Sequence, residues 1–342
     1  MRWFGVLITV VFACATAVIT FPGLFRVEQL FPFTQIVAMR GLVVAAFAAL
    51  TVLFLLFAVA RPLRIFALSM ALVAALGSIS SGVMLGARGY GENSLPDETD
   101  TSVRVMTWNT AGEAPGTYRI AQTAVAMNAD IVTLPETTEE GGEQIAIEMR
   151  ELGRPMWVHH VAYNAQNSPT PYAWETTLLI SPDLGDYSVI DSSSDGSSNT
   201  TALPSVVAMP VDGNGPTVVA VHAVAPRQSY MDLWSNDLRW IADQCAEENV
   251  ILAGDFNATL DHFGNLGEED ADLGYCTDAA AETGNGANGT WPTDIPALIG
   301  APIDHVMYGR AWRATGSIVL ANLDDVGSDH RPVVVQLEPS GE

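Results

Sequence analysis

The sequence predicts a chain of two parts: N-terminal transmembrane helices, followed by an α/β domain in which two packed β-sheets are flanked by helices. Three features of the 342 residues support this fold class. Long apolar stretches fill the first 88 residues, where Glu28 is the only acidic side chain. The remainder is strongly acidic. In that part, strand patterns outnumber helical patterns and follow one another partly as hairpins, which favours two packed sheets over a doubly wound parallel sheet.

The apolar stretches cover residues 3–21, 41–60 and 65–85. Each is close to the ~20 residues that cross ~30 Å of hydrocarbon as an α-helix. The third is the most polar, since it contains three serines and several glycines. A signal peptide does not fit the first stretch well, because two more follow it and no clear small-x-small cleavage site precedes Pro22. Three fully apolar buried helices in a row are rare in soluble proteins. We therefore assign residues 1–88 to a membrane anchor with three transmembrane helices.

Arginine placement predicts the orientation of this anchor. Arg2 precedes the first stretch, and Arg61 and Arg64 lie in the short turn between the second and the third. Placing these three in the cytoplasm follows the positive-inside bias, although Arg26 and Arg40 then lie on the outer side. With three spans, the chain after Arg88 is expected outside the cytoplasm. The prediction is a multi-pass protein of the cell membrane with an extracytoplasmic domain.

Composition limits what this domain is expected to bind. Residues 89–102 are polar and are typical of a linker. After Arg88 the chain has nine arginines, no lysine and 38 of the 39 acidic residues, which gives a formal net charge of −29. Affinity for DNA comes largely from Lys and Arg that neutralise phosphates, so a long polyanion is disfavoured. A general acidic bias of the host proteome would produce the same charge without any meaning for the substrate.

The cysteines leave two interpretations open. Cys14 lies in the first apolar stretch, whereas Cys245 and Cys276 both lie in the acidic domain. In an oxidising compartment these two would form a disulfide that encloses the segment 254–257; otherwise they are separate buried thiols. Neither has Cys-x-x-Cys or Cys/His spacing, so a zinc site is not expected.

Apolar patterns define the elements of the domain in order. Predicted strands cover residues 103–108, 131–134, 157–162, 176–180, 187–191, 205–210, 217–224, 250–253, 303–308, 315–320 and 333–337. Predicted helices cover residues 116–127, 143–152 and about 230–246. The run 191–201 is rich in Ser, Asp and Asn and predicts a mobile surface loop.

Polar side chains stand at the ends of five predicted strands. They are Asn109, Glu136, Asp255, Asn257, Asp304 and the run Ser328-Asp329-His330. Taken singly, each is more readily a turn or cap residue, or a buried hydrogen-bonded carboxylate. The repeated placement of carboxylate and amide groups at strand ends predicts one hard-oxygen metal site with a histidine beside it.

Seven short motifs resemble, in order and spacing, those of the endonuclease/exonuclease/phosphatase superfamily, which has the deoxyribonuclease-I-like fold. They are Thr107-Trp108-Asn109, Leu134-Pro135-Glu136, Val221-His222, Gly254-Asp255-Phe256-Asn257, Thr290-Trp291-Pro292, Ile303-Asp304-His305 and Ser328-Asp329-His330. The resemblance implies a four-layer α/β/β/α sandwich of two mixed sheets, and we assign residues 103–338 to this catalytic domain. Pro135 departs from the family pattern, which usually has Gln there, but Glu136 is retained.

The resemblance also implies the metal ligands. Glu136 is similar to the principal magnesium ligand of the family, with Asn109 beside it, and Asp329 would bind the metal directly or through water. A carboxylate and neutral oxygens suit Mg²⁺, which prefers octahedral oxygen coordination. Mn²⁺ is the alternative ion.

Other positions are implied in catalysis. Asp255 would orient or deprotonate the attacking water, and Asn257 would donate its amide to the phosphate. His330 resembles the histidine that hydrogen-bonds the phosphoryl oxygen, with Asp304 holding its ring. His222 matches the second histidine of the family, a candidate acid or phosphate ligand.

Supporting residues are expected around this set. Glu175 is a plausible partner for His222, and Trp291 is expected to pack under the site. We interpret His262 and His305 as supporting or surface residues.

The predicted function is a membrane-anchored, extracytoplasmic, Mg²⁺-dependent phosphoesterase. The superfamily includes nucleases, phospholipid hydrolases and inositol-phosphate phosphatases, so the fold does not name the substrate. The membrane anchor and the acidic charge favour a lipid headgroup or a small molecule over nucleic acid. The alternatives are a nuclease of the same family and a catalytically lapsed envelope binding module. The sequence identifies no protein partner.

Overall fold

A computed structural model describes residues 2–91, 94–163, 170–190 and 198–341. The three apolar helices predicted for the anchor are present, and each is long and apolar enough to cross a membrane. They are α1 (Arg2–Thr20), α4 (Arg40–Phe57) and α5 (Arg64–Arg88), and the short helices α2 (Pro22–Phe25) and α3 (Phe33–Ala38) lie between the first two. α5 packs closely on both others because Gly77 lacks a side chain: a Cβ there would lie 2.7 Å from Thr16 and 3.1 Å from Phe47.

Two mixed six-stranded sheets form the domain. The first has the order β11-β12-β1-β2-β4-β3 and the second the order β5-β6-β7-β8-β10-β9. The first sheet contains β1 (Val103–Thr107), β2 (Ile131–Pro135), β3 (Trp157–Ala162), β4 (Glu175–Ile180), β11 (Trp312–Val319) and β12 (Val333–Pro339). The second contains β5 (Tyr187–Val189), β6 (Val206–Pro210), β7 (Thr217–His222), β8 (Val250–Asp255), β9 (Thr277–Asp278) and β10 (Asp304–Tyr308).

Apolar faces of the two sheets form the central core, and helices cover the outer faces. Val105 and Val335 of the first sheet share a fully buried cluster with Ala253 of the second. Separate buried clusters attach helices to each outer face. The helices of the domain are α6 (Thr117–Ala126), α7 (Glu139–Glu151), α8 (Met231–Gln244), α9 (Leu260–Phe263) and α10 (Ala279–Glu282). The four-layer sandwich that the sequence predicted is confirmed.

Some local predictions need correction. α7 begins at Glu139 rather than at residue 143, because the Thr138 hydroxyl caps it by accepting from the backbone N–H of Gly141 at 3.0 Å. β11 begins three residues earlier than predicted. Of the run 191–201, residues 191–197 lie outside the described residues. Asn199 and Thr200, at its end, are fully buried, so this end is not an exposed loop.

The predicted linker contacts the domain along its described part. The Arg104 guanidinium donates from Nη2 to the carbonyl of Pro96 at 2.8 Å, and the Ser102 hydroxyl donates to Glu338 at 2.6 Å. Residues 94–102 thus lie against the first sheet. The division into segments 1–88, 89–102 and 103–338 stays a prediction.

Cys245 and Cys276 form a disulfide. Of the two interpretations that the sequence left open, the structure has the bonded pair. The bond joins the residue after α8 to the segment that precedes β9.

One end of the anchor contacts the domain. In the segment between α1 and α4, Gln35 Nε2 donates to the carbonyl of Pro226 at 2.5 Å. Arg40, which begins α4, and Arg88, which ends α5, both bond to Asp261. The turn between α4 and α5 lies at the opposite end of these helices. The domain therefore adjoins the end of the anchor that carries Arg40 and Arg88.

Candidate active site

Strand pairing brings the candidate site residues to one edge of the sandwich. β1 and β2 run parallel, as do β7 and β8, so the carboxyl ends of each pair lie together. β12 and β10 run antiparallel to them and begin at the same edge. In this register Asp255 is paired with both His222 and Asp304. Residues remote in the sequence thereby form one polar cluster.

His330 forms a buried ion pair with Asp304. Its Nδ1 atom lies 2.9 Å from one carboxylate oxygen and 3.2 Å from the other, and its Nε2 atom lies 3.9 Å from Oδ2 of Asp255. Burial alone would lower the pKa of His330, but the negative charges of Asp304 and Asp255 outweigh it and raise this pKa. His330 is therefore an imidazolium at neutral pH, with Nδ1 engaged and Nε2 facing the cluster.

Asn257 holds the carboxylate of Asp255. Its backbone N–H donates to Oδ1 of Asp255 at 2.8 Å, and its Nδ2 donates to Oδ2 at 3.1 Å and to the Ala223 carbonyl at 2.9 Å. Asn257 adopts a left-handed conformation with φ of 47°, which is costly for a residue other than glycine. A Cβ at Gly254 would lie 1.9 Å from the carbonyl oxygen of Val221, so only glycine fits there. Burial raises the pKa of Asp255, and the charge of His330 opposes this rise.

Asn109 connects two carboxylates of the cluster. Its Nδ2 donates to Oε1 of Glu136 at 3.1 Å and to Oδ2 of Asp255 at 3.1 Å. Glu136 also has a left-handed backbone, with φ of 58°. Burial raises the pKa of Glu136, and the hydrogen bond from Asn109 lowers it in part. The Glu136 side chain is 22% exposed, so it is the carboxylate of this pair that a ligand can reach.

His222 has a hydroxyl rather than a carboxylate beside its ring. Its Nδ1 lies 3.4 Å from Oγ1 of Thr176, which itself donates to the carbonyl of Pro204 at 2.6 Å. That hydroxyl can therefore only accept a hydrogen bond from Nδ1, so the proton of the neutral ring lies on Nδ1. Nε2 carries no proton and lies 3.8 Å from Oε1 of Glu136. Burial, and then the charge of His330, lower the pKa of His222 to about 3.

The expected pairing of Glu175 with His222 is wrong. Glu175 Oε2 lies 3.3 Å from Nε2 of His160 instead. Neighbouring residues of a strand point to opposite faces of the sheet, so Thr176 faces His222 and Glu175 faces away from it.

Asp329 lies at the rim of the cluster. Its Oδ2 accepts from Nε1 of Trp291 at 2.9 Å, and its charge contributes to the raised pKa of both Glu136 and His330. Trp291 is half-buried, so it borders the site through this bond.

The cluster fits a divalent cation by its chemistry. Ligand atoms of Asp255, Asp304 and His330 lie within 4.8 Å of one another, but the hydrogen bond between Asp304 and His330 occupies part of this group. Glu136 and Asp329 offer further oxygens, and the nearby charges of Asp329 and Asp304 contribute to the raised pKa of Glu136. Burial raises the pKa of two of these carboxylates, Glu136 and Asp255, and a hard cation nearby would stabilise their ionised form.

The sequence analysis did not single out Arg331, and it did not predict that His305 is buried. Arg331 is fully buried; it pairs with Asp324 at 2.7 Å and donates to four carbonyls of residues 289–295. It thereby fixes the loop that carries Trp291. His305 is buried against Asp278 at 2.6 Å and donates from Nε2 to the Ala258 carbonyl at 2.8 Å. The signal for Arg331 was its position directly after the Ser-Asp-His motif.

The fold and the cluster define a class of protein: hydrolases that act on phosphoester bonds with a four-layer sandwich. Residues 106–330 match the Endonuclease/Exonuclease/phosphatase family. The chain belongs to this family, as the sequence motifs predicted, and is therefore a hydrolase of phosphoric esters. Among curated proteins, none matches this chain.

Solved structures agree on the fold. An endonuclease/exonuclease/phosphatase from Beutenbergia cavernae is 22% identical, covers 70% of this chain and 72% of its own, and has a TM-score of 0.53. The one from Bacteroides vulgatus is 16% identical, covers 70% and 100%, and has a TM-score of 0.51. D. rerio TDP2 complexed with single-strand DNA product is 15% identical, covers 70% and 100%, and has a TM-score of 0.53. At these identities the likeness establishes the fold alone.

The ion pair of His330 leads to a prediction about its titration. In Asp304→Asn, the pKa of His330 should fall by about 1–3 pH units, because the nearest negative charge is removed. Titration of ¹⁵N-labelled histidines by NMR in the metal-free protein measures this directly. Asp278→Asn is the matched control: it should lower the pKa of His305 and leave that of His330 unchanged. An unaltered His330 titration in Asp304→Asn would contradict the assigned pairing.

Proposed function

We propose that the chain is a membrane-anchored, extracytoplasmic, Mg²⁺-dependent phosphoesterase that hydrolyses a phosphodiester or phosphomonoester by in-line attack of water. One observation carries the proposal: the Asn109 amide joins Glu136 to Asp255, beside the ion pair of Asp304 and His330. Water activation, charge neutralisation and proton donation are the tasks of phosphoester hydrolysis, and this cluster offers a group for each.

Glu136, with Asn109 and Asp329, would hold the metal ion. Their oxygen donors suit Mg²⁺, and Mn²⁺ has the same preference for carboxylate and carbonyl ligands. When bound, such an ion neutralises phosphoryl oxygens and lowers the pKa of water. Asn109 and Asp329 are themselves held by neighbouring groups, so the ligand set is already ordered in part.

Asp255 is the group that orients and deprotonates the attacking water. Its buried position raises its pKa, which makes the carboxylate a stronger base than an exposed one. Asn257 fixes that carboxylate by two hydrogen bonds. Both protons of its amide are engaged in the free protein, so donation to the phosphate requires Asn257 to exchange one of these bonds.

The two histidines take different parts. His330 is protonated and held through Nδ1 by Asp304, so its Nε2 proton is free to be donated to a phosphoryl oxygen. His222 is neutral in the free protein. The negative charge of a bound phosphate favours a second proton on its ring, and in that form His222 donates to the phosphate or to the leaving oxygen.

Two alternatives compete with this proposal. A nuclease of the same family would use the same residues, and D. rerio TDP2, which shares the fold, is complexed with single-strand DNA product. The second alternative is a binding module that has this fold but has lost its catalytic activity. Retention of every predicted catalytic position favours an enzyme, since a lapsed site is expected to lose at least one of them.

The proposed site is tested by two variants. Glu136→Gln removes a charge at nearly constant size, and His330→Ala removes the donor; each should lower turnover of a phosphoester by ~10²–10³. EDTA should abolish the wild-type activity, and Mg²⁺ or Mn²⁺ should restore it. Glu269→Gln is the matched control, because Glu269 is an exposed carboxylate paired with Arg310 beyond the far end of β10. Unchanged turnover in both site variants would falsify the assignment.

The substrate is proposed to be a lipid or small phosphoester rather than duplex DNA. The part of the chain after Arg88 has a formal net charge of −29, so it gains little from counterion release on binding a polyanion. The anchor also holds the site near the membrane: Asn257 and Asp261 are four residues apart, which is at most ~14 Å of chain, and Asp261 is bonded to the ends of two spans.

Side-by-side turnover checks this preference at matched Mg²⁺ and ~0.15 M salt, where exposed charges are screened beyond ~8 Å. Phospholipid vesicles and bis(4-nitrophenyl) phosphate should be hydrolysed faster than plasmid DNA. Efficient plasmid cleavage without activity on the other two would make the nuclease the preferred function.

An extracytoplasmic domain is supported by two observations. The disulfide of Cys245 and Cys276 suits an oxidising compartment. Arg40, which counted against the orientation from arginine placement, shares the carboxylate of Asp261 with Arg88, so part of the positive charge at this end is neutralised.

The orientation is tested with topology reporters. Alkaline phosphatase fused after Gly341 should be active, because that enzyme matures outside the cytoplasm. The same reporter fused after Arg61, at the other end of the spans, should be inactive. The reverse pattern would place the domain in the cytoplasm.

A further inference from the structure

We propose that Asp261 is a positioning residue that couples the membrane anchor to the segment carrying Asp255, at the end of β8, and Asn257, which follows it. The full catalytic rate then requires the anchor to be docked on the domain. This inference rests on the proposed phosphoesterase function of the same site.

Asp261 is held by two arginines from two different spans. Arg40 donates from Nε and Nη2 at 2.8 and 2.7 Å, and Arg88 donates from Nη1 and Nη2 at 2.9 and 2.8 Å. Each carboxylate oxygen thus accepts one bond from each arginine. All three side chains are largely buried: Arg40 is 4% exposed, Arg88 18% and Asp261 9%. Bidentate, charge-assisted bonds of this kind are the strongest polar contacts that side chains form.

The helix that carries Asp261 is fixed to the anchor by its next residue as well. His262 donates from Nε2 to the carbonyl of Thr34 at 3.0 Å, and its Nδ1 accepts from the backbone N–H of Thr259 at 2.8 Å. The backbone carbonyl of His262 accepts from Nε2 of Gln29 at 2.9 Å. α9 therefore joins the anchor through consecutive side chains, Asp261 and His262.

A short path leads from α9 to the site. The ring of Trp234 lies 5.4 Å from that of His262, edge to face, and Nε1 of Trp234 donates to the carbonyl of Asn257 at 3.0 Å. Asn257 is the residue with a left-handed φ of 47°. Such a conformation persists only where its surroundings hold it, and here the surroundings include Trp234, which also contacts His262 of α9.

The charges of Asp261, Arg40 and Arg88 explain why the contact between anchor and domain depends on Asp261. Burial by itself would raise the pKa of Asp261, but Arg88 and Arg40 lower it well below its usual range. An isolated buried charge is strongly unfavourable. The two arginines and the carboxylate therefore need one another, and loss of any partner weakens the contact between anchor and domain.

Hydrogen exchange of the full-length protein in detergent tests the coupling without relying on activity. Asp261→Asn should speed amide exchange at residues 255–259 by tenfold or more and leave β1 unchanged. Arg88→Gln, which removes one partner and is milder, should act in the same direction. Glu269→Gln breaks an exposed Arg–carboxylate pair of the same chemistry and should change neither region. Unchanged exchange at residues 255–259, or an equal rise throughout the domain, would overturn the proposal.

Turnover gives the second readout. With bis(4-nitrophenyl) phosphate, Asp261→Asn and Arg88→Gln should lower kcat by about tenfold or more and keep KM within about twofold, since misplacing a catalytic group by ~1 Å costs up to ~10² in rate. Wild-type kcat in both variants would contradict the coupling. An inactive wild-type protein with the expected exchange pattern would refute the phosphoesterase function and leave the coupling of anchor and loop intact.

Discussion

The crowding of carboxylates at one edge of the sandwich is the constraint on which the rest of the structure depends. Glu136, Asp255 and Asp304 come from three strands in two sheets. Burial, and then the charge of Asp304, raise the pKa of Glu136 and of Asp255. The chain offsets this only in part, through the imidazolium of His330 and the amide of Asn109. A divalent cation would supply the remaining positive charge. The left-handed backbones at the site are tolerated because the sheets on both sides hold them.

Asp261 is also a buried carboxylate, but its charge is balanced in a different way. There the chain itself provides the cations, Arg40 and Arg88, and the carboxylate stays ionised without an external ion. The first cluster is the one that we propose to bind a metal ion and a phosphate. The second is closed, and we propose that it acts as a joint between anchor and domain. Because Asp261 and Asn257 are four residues apart in the sequence, the joint and the site share one short segment of chain. The anchor is in this view part of the catalytic unit rather than a passive tether.

The sequence was informative where local pattern decides the outcome. Apolar length identified the three long apolar helices, alternating apolar runs identified the strands, and ordered motifs at their ends identified the family. It failed where the outcome depends on which face a side chain takes. Thr176, not its neighbour Glu175, faces His222, and a shift of one residue in a strand reverses the face. The pairing of Asp261 with Arg40 joins residues 221 apart, and no local pattern reports such a contact.

Calorimetric titration of the metal-free protein with Mn²⁺ tests the central claim, that the crowded carboxylates bind a divalent ion, most directly. The account predicts one ion per chain, with affinity lowered by about tenfold or more in Glu136→Gln and unchanged in Glu269→Gln. The absence of binding to the wild-type chain, or equal affinity in wild type and Glu136→Gln, would contradict it.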